Sequence, residues 1–444
     1  MDNGKVTIIG AGLAGSLLAI YLAKRGIEVN VFEARGDMRN EEVAAGRSIN
    51  LALSDRGIAA LREIGMDQYM LAEAVPMYGR MIHSLTGEQK LLPYSGREGE
   101  CINSVSRAGL NIALINEAQK YEEVSFHFNK RCTDIDLAAG GARFSDGSLV
   151  LGDTLIATDG AGSAVRQGME REANNFESSS VFLEHGYKEL HISSAGDGSF
   201  LIEKNALHIW PRHQFMMIAL PNFDGSFTCT LFLAKHGDQS FEKLTTADDV
   251  LEFFEREFAD AFPLMPTLTD DFFHNPTGDL GTIKCWPWNV DGKILLLGDS
   301  AHAMVPFYGQ GMNCAFEDVR ILAGLIDEHG KDWATAYDEY GQARKKNTDA
   351  IQDMAVDNFY EMRDRVADPV FQRKRQLETM LEQTYPDYFS RYSMVTFRED
   401  LPYSVAMERG NAQDALLMEI CAKVSSVSEI DSDEVIARVR ELWR

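Results

Sequence analysis

Several common chemistries are missing from this chain's residues. No two of its six cysteines, Cys101, Cys132, Cys229, Cys285, Cys314 and Cys421, form a C-x-x-C pair or stand with paired histidines. That excludes a zinc ribbon and a redox dithiol, and predicts free buried thiols. No apolar run approaches the roughly 18 residues of a membrane span, and no signal-peptide core precedes the first strand at Lys5. A soluble cytoplasmic protein with no membrane partner is expected. Positive charge is scarce: 43 Lys+Arg against 68 Asp+Glu give a formal charge of −25. Such a surface repels a phosphate backbone, so nucleic acid is excluded as a partner, and any anionic ligand needs a local basic pocket. Low-complexity tracts and internal repeats are absent as well. With 444 residues, 45% of them hydrophobic, the chain exceeds the roughly 250–300 at which a single core stops growing, so two or more domains are expected.

The opening segment predicts a strand over Val6 to Ile9, a helix over Leu13 to Arg25 and a second strand over Glu28 to Glu33. Two further apolar strands end at glycine-bearing loops: Thr154 to Ala157 before Asp159-Gly160, and Ile294 to Leu297 before Gly298-Asp299. Ligands collect where such strands end in an open α/β sheet. Between about residues 181 and 275, β-branched and aromatic residues alternate, which predicts an antiparallel substrate sheet. Past about Trp333 the pattern is helical and charged, and Glu429 to Glu434 is expected to be a solvated acidic stretch. The expected division is a discontinuous nucleotide domain over 1–79, 97–180 and 276–332, a sheet domain over 80–96 and 181–275, and a helical region over 333–444.

In Gly10-Ala11-Gly12-Leu13-Ala14-Gly15, the first glycine permits a tight turn, the second lets a pyrophosphate approach backbone amides, and the third permits close helix packing. Glu33 ends the next strand, where it suits ribose hydroxyls. The bland alternative is a structural glycine turn. Gly298-Asp299-Ser300-Ala301-His302, followed by Pro306 to Asn313, adds a second clamp that points to FAD rather than NAD. Asp299 suits a ribityl hydroxyl, and the amides of Gly311, Met312 and Asn313 suit the flavin N1–C2=O edge. Asp299 as a plain helix cap is the alternative. Asp159 begins a third strand-end loop, and Ser106-Arg107 is expected to cap a helix and bring Arg107 to the pyrophosphate, a surface salt bridge being the commoner fate of such an arginine.

In this order, these segments resemble the single-component flavoprotein aromatic hydroxylases. Five more, Gly46 to Ser54, Arg80 to Ser84, His185 to Leu190, Leu207 to Pro211 and Arg391 to Phe397, resemble the kynurenine-hydroxylating branch of that family, in its soluble bacterial form. The resemblance implies a mixed α/β fold: a Rossmann-like FAD domain of the glutathione-reductase-like type, an antiparallel substrate sheet and C-terminal helices. It implies Arg80 and Tyr94 as carboxylate ligands, with Asn358 and Tyr392 as further substrate contacts. Its implied flavin contacts are Leu13, Glu33, Arg35, Ala52, Arg107, Asp299, Met312 and Asn313. The implied reaction is NADPH- and O2-dependent hydroxylation of L-kynurenine to 3-hydroxy-L-kynurenine, in tryptophan breakdown or quinolinate and NAD synthesis. No residue is assigned as a catalytic acid or base, and no metal is implied. Since no second glycine motif exists for NADPH, it is expected to bind transiently.

Thr158 departs from the small or apolar residue usual in relatives, and Tyr308 occupies a variable ring position beside the flavin. The competing readings are a hydroxylase of another aromatic acid, a halogenase, or a non-catalytic flavin-binding regulator. Trp286-Pro287-Trp288-Asn289-Val290 is followed by Asp291 instead of the halogenases' proline, which predicts an aromatic turn before the Ile294 strand. Assembly, a homodimer included, is left open.

Overall fold

The computed structural model describes residues 4–40 and 50–443. The Gly46 to Ile49 part of the first branch-specific segment lies outside the described residues. Strands Lys5–Ile9, Glu28–Phe32 and Thr154–Ala157 form the centre of a six-stranded sheet, extended by Val124–His127 on one side and by Ile294–Leu296 and Asn289–Val290 on the other. All its pairings are parallel except that of Asn289–Val290. The near-continuous apolar runs suit a sheet covered on both faces: Ile8, Val29, Val31, Ile156 and Leu295 are fully buried. Helix Leu13–Ala23 packs against it and ends two residues before the predicted limit.

The second large sheet has seven strands, in the order Gly278–Trp286, Glu177–Ile192, Phe227–Ala234, Met216–Pro221, Ala206–Pro211, Gly79–His83, Gln89–Pro93. It departs from the expected antiparallel sheet in two ways. Gly79–His83 pairs in parallel with Ala206–Pro211, because the Gly79–Pro93 hairpin comes from a remote part of the chain and joins at the edge. The 181–275 interval also contains helices Ala247–Glu257 and Leu268–His274. The first is started by a capping box between Thr246 and Asp249, and its apolar face packs Val250, Phe253 and Phe254 into the core under the sheet. The expected limits at 180 and 276 also need moving, since strands Glu177–Ile192 and Gly278–Trp286 both belong wholly to this sheet. We propose the same three-part division, with the ends of those strands as the limits of the sheet domain.

Helices Trp333–Asp364, Pro369–Thr384, Arg391–Thr396, Tyr403–Ala422 and Ser432–Leu442 make up the C-terminal region. The acidic stretch starts the last of these: Asp431 accepts from the amides of Asp433 and Glu434 at 3.0 and 3.2 Å. The expected aromatic turn over Trp286 to Val290 is instead a strand end, a two-residue link and the strand Asn289–Val290, with the turn itself at 291–293; Trp288 is buried and its indole N–H donates to the Cys285 carbonyl. All six cysteines are free, and all but Cys101 are buried. Among the described residues, no helix is long and apolar enough to cross a membrane.

Candidate functional site

One cavity of about 1020 Å³ runs from the ends of the parallel strands to the seven-stranded sheet. At its first end lie Gly10, Gly12, Leu13, Glu33, Arg35, Ala52, Arg107, Asp159, Asp299, Gly311 and Met312. Gly10 has φ +102, and a Cβ there would stand 2.6 Å from the Thr158 carbonyl; only glycine fits such a site. Thr158, the departure from relatives, steadies the same turn, its one hydroxyl proton shared between the carbonyls of Ile9 and Gly10, 3.0 and 2.9 Å away. Gly15 is absent from the lining; a Cβ on it would meet the Gly10 carbonyl at 2.0 Å, so it serves helix packing. A Cβ on Gly12 would meet nothing within 4 Å. That leaves open space at the start of helix Leu13–Ala23, where amides and the helix dipole favour a pyrophosphate.

Glu33 accepts from the Ala11 amide at 2.9 Å and from the Arg35 amide and Nε at 3.0 and 2.8 Å. Burial alone would raise its carboxyl, but the hydrogen bonds from Arg35 and Ala11 hold it below the usual range. It is therefore an anion with lone pairs left for hydroxyl donors. Asp159 holds the loop that follows its strand: its Oδ2 accepts from the Ala164 amide at 2.8 Å, while its buried Oδ1 has no partner. Ser106 caps helix Arg107–Ala118 as predicted, accepting from the Gly109 amide at 3.1 Å. Helix Gly311–His329 points its first-turn amides, which have no intrahelical acceptor, toward the cavity from Gly311 and Met312. The Asn313 side chain works behind this lining. It accepts from the Ser54 amide at 2.9 Å and donates to the carbonyls of Ala52 and Gly309 at 2.8 and 2.9 Å, clipping the Asn50–Leu53 strand to the helix. Open space over Gly12, the unpartnered Asp159 oxygen and this amide set all fit FAD.

The other end is built from side chains of five separate segments. Arg80, from strand Gly79–His83, is 8% exposed and donates to Glu361 of helix Trp333–Asp364 at 3.2 Å, while its buried Nε has no partner. Its guanidinium lies 5.1 Å from the Tyr392 ring and 5.9 Å from that of Tyr94. Tyr94 stacks on Tyr392 at 4.8 Å, and Tyr392 on Tyr308 at 5.6 Å. The buried Tyr94 hydroxyl makes no hydrogen bond of standard geometry. Burial pushes the hydroxyls of both Tyr94 and Tyr392 up, so both stay protonated. Burial would raise Glu361 too, but Arg80 and then Arg391 hold it below the carboxylate range. Around this charged corner the walls are apolar, with Leu207, Ile218, Phe232 and Met362 among them.

Asn358 stands one layer back from its expected place. It does not line the cavity; its Nδ2 donates to the Phe307 carbonyl at 2.5 Å, bracing the loop that carries Tyr308. Three contributors carry no role in the sequence analysis: Glu361, Lys130 and Arg131. Glu361 lies three residues after Asn358, hence on the same helix face, which is the signal that would have found it. Lys130 and Arg131 line the nucleotide end, but a lysine–arginine pair in an ordinary loop carries no such signal.

A model described as "FAD binding domain" matches residues 3–355. Kynurenine 3-monooxygenase of Myxococcus xanthus (strain DK1622) is 45% identical over 445 residues, covering 99% of this chain and 94% of that protein. The protein of the same name from Stenotrophomonas maltophilia (strain K279a) is 47% identical over 432 residues, covering 96% and 94%. Among solved structures, the tetrameric form of 2-methyl-3-hydroxypyridine-5-carboxylic acid oxygenase superposes with a TM-score of 0.66 at 19% identity, over 85% of this chain and 97% of that one. PqsL of P. aeruginosa in complex with 2-aminobenzoylacetate gives 0.65 at 19%, over 82% and 97%. These last two likenesses concern the fold alone.

Proposed function

The chain belongs to the kynurenine 3-monooxygenase family of FAD-dependent hydroxylases, and we propose that it uses NADPH and O2 to convert L-kynurenine to 3-hydroxy-L-kynurenine. The observation that carries the substrate assignment is Arg80: a buried guanidinium with a free N–H, set beside the stacked rings of Tyr94 and Tyr392 at the apolar end of the cavity. A guanidinium offers a carboxylate a planar fork of donors, and such charge-assisted bonds are the strong ones. Tyr94 adds a buried, protonated hydroxyl beside it. The amino-acid end of the substrate is thereby fixed, and the aniline ring extends along Leu207, Ile218 and Phe232 toward the ring loop at Pro306–Tyr308.

FAD, when bound, supplies hydride acceptance from NADPH and the transfer of one oxygen atom from O2. Gly10, Gly12, Arg107 and the start of helix Leu13–Ala23 would hold its pyrophosphate, Glu33 its ribose and Asp299 its ribityl chain. The first-turn amides at Gly311 and Met312 would stabilise negative charge on its ring. For the chemistry itself the protein supplies orientation and water exclusion. The substrate amine activates its own ortho carbon by electron donation, so no strong base is needed. NADPH oxidation is measured in air with and without L-kynurenine, and the product is weighed. Stimulated oxidation with gain of one oxygen atom is expected; stimulation that yields peroxide alone overturns the assignment of kynurenine as substrate.

A further inference from the structure

The segments Arg80 to Ser84 and Leu207 to Pro211 hold more than the site uses. Arg80 and Leu207 face the cavity, so the alternation of a strand sends His83, His208 and Trp210 to the opposite face of the sheet. There they form a closed chain of side chains. Asp260 Oδ2 lies 2.6 Å from His83 Nδ1, His83 Nε2 lies 2.8 Å from His208 Nδ1, and His208 Nε2 lies 2.7 Å from the Glu203 carbonyl. Both rings are fully buried. Trp210 stacks on His83 at 4.1 Å and donates its indole N–H to the other Asp260 oxygen at 2.9 Å.

The protons of this chain can be counted. A carbonyl only accepts, so His208 Nε2 carries a proton. Burial, the largest influence on His208, pushes its ring down to about 4, so it is neutral and its Nδ1 accepts. His83 Nε2 must then donate. An ionised Asp260 carboxyl accepts at both oxygens, from the Trp210 indole N–H at 2.9 Å on Oδ1 and from His83 on Oδ2. His83 Nδ1 must also donate. Three links need three protons, and two neutral imidazoles have only two.

We propose that His83 is a buried imidazolium, held between Asp260 and His208, that acts as a positioning residue for the strand carrying Arg80. The pairing of Gly79–His83 with Ala206–Pro211 stops at Ile82 opposite Ile209, one residue short of His83. Past that point the ring-to-ring link and a bond from Arg212 to the His83 carbonyl, at 3.1 Å, replace the ladder. The strand lies next to the sheet edge, with only the Gln89–Pro93 hairpin partner beyond it. Beyond Ile82, the strand's hold on the interior therefore passes through the His83 ring and carbonyl.

The test uses the FAD-loaded enzyme with 15N-labelled histidine, His83 being assigned by the signal lost in His83→Gln. Both His83 ring nitrogens should show the shifts of protonated imidazole at the pH of the assay; one unprotonated nitrogen overturns the proposal, whatever the substrate is. The second arm rests on the reading of Arg80 as carboxylate anchor. Asp260→Asn removes the charge that requires the third proton, and should raise the KM for L-kynurenine by about tenfold through a displaced Arg80, while kcat changes little and FAD is retained. An unchanged KM, or an equal fall in kcat, overturns the positioning role. Wild-type enzyme that leaves L-kynurenine unmodified would sink the substrate reading and leave the first arm standing.

Discussion

The two ends of the cavity are made of different materials. At the nucleotide end the contacts are backbone amides, glycine gaps and a carboxylate held by its own loop, most of them within a few residues of a strand end. At the substrate end they are side chains from strand Gly79–His83, the Tyr94 loop, helix Trp333–Asp364 and helix Arg391–Thr396, buried as charge beside aromatic rings. A backbone-built site tolerates changes of side chain but no change in the path of the chain. A site built from remote side chains tolerates neither loss of a partner nor displacement of an element. Mutations should divide along that line.

The largest effect is expected where backbone geometry alone decides. Gly10→Ala forces a Cβ to 2.6 Å from the Thr158 carbonyl at φ +102, a strain and overlap of about 2–5 kcal/mol. The variant should purify without flavin absorbance and melt well below the parent; a yellow protein of normal melting point would break the comparison at its firmest point.

Arg80→Ala comes next. It leaves Glu361 buried with Arg391 as its nearer cation, and breaking a buried pair costs about 3–5 kcal/mol. Titration of L-kynurenine should show a KM raised by about two orders of magnitude, at about 1.5–3 kcal/mol per lost charge-assisted bond, with flavin content unchanged. Flavin lost in parallel would mean that the two ends are one unit.

A pH effect separates the ends further. Glu33 titrates below its ordinary value of 4.5 in the folded state, so its contribution is full above that value and is lost as pH falls through the lower folded value. The melting-point gap between parent and Glu33→Gln should therefore be widest at neutral pH and narrow in acid. A gap that widens in acid would reverse the sign and reject the assignment.

The smallest effect belongs to Thr158→Val. It removes one hydroxyl proton shared between the two turn carbonyls, worth about 1 kcal/mol net. A severalfold weaker retention of FAD, measured by dialysis, is expected, with the KM for L-kynurenine unmoved.

Much of the nucleotide end was legible because its signals are local: a strand, a glycine at a fixed offset and a helix start are neighbours in the chain, and sterics tie each residue type to its place. The cap on helix Arg107–Ala118 was readable at Ser106 for the same reason. Less legible were the helices within 181–275, where the Thr246–Asp249 capping box lies inside a stretch otherwise rich in strand residues. Asn358 was placed as a substrate contact on resemblance, and here braces the Phe307 carbonyl. Nothing in its own neighbourhood says which layer it occupies, because that depends on where a helix from one end of the chain meets a loop from another.

By itself, the sequence determined that three strands end in glycine-bearing loops suited to a dinucleotide, since periodicity and φ requirements act over a few residues. Only the tertiary structure decided that Arg80 meets Glu361, Tyr94 and Tyr392, that Asn313 and Asn358 work from behind the lining, and that His83 links Asp260 to His208. Those partners lie up to hundreds of residues apart. A buried charge or ring acquires its role from the groups that folding packs against it, and no local pattern records them.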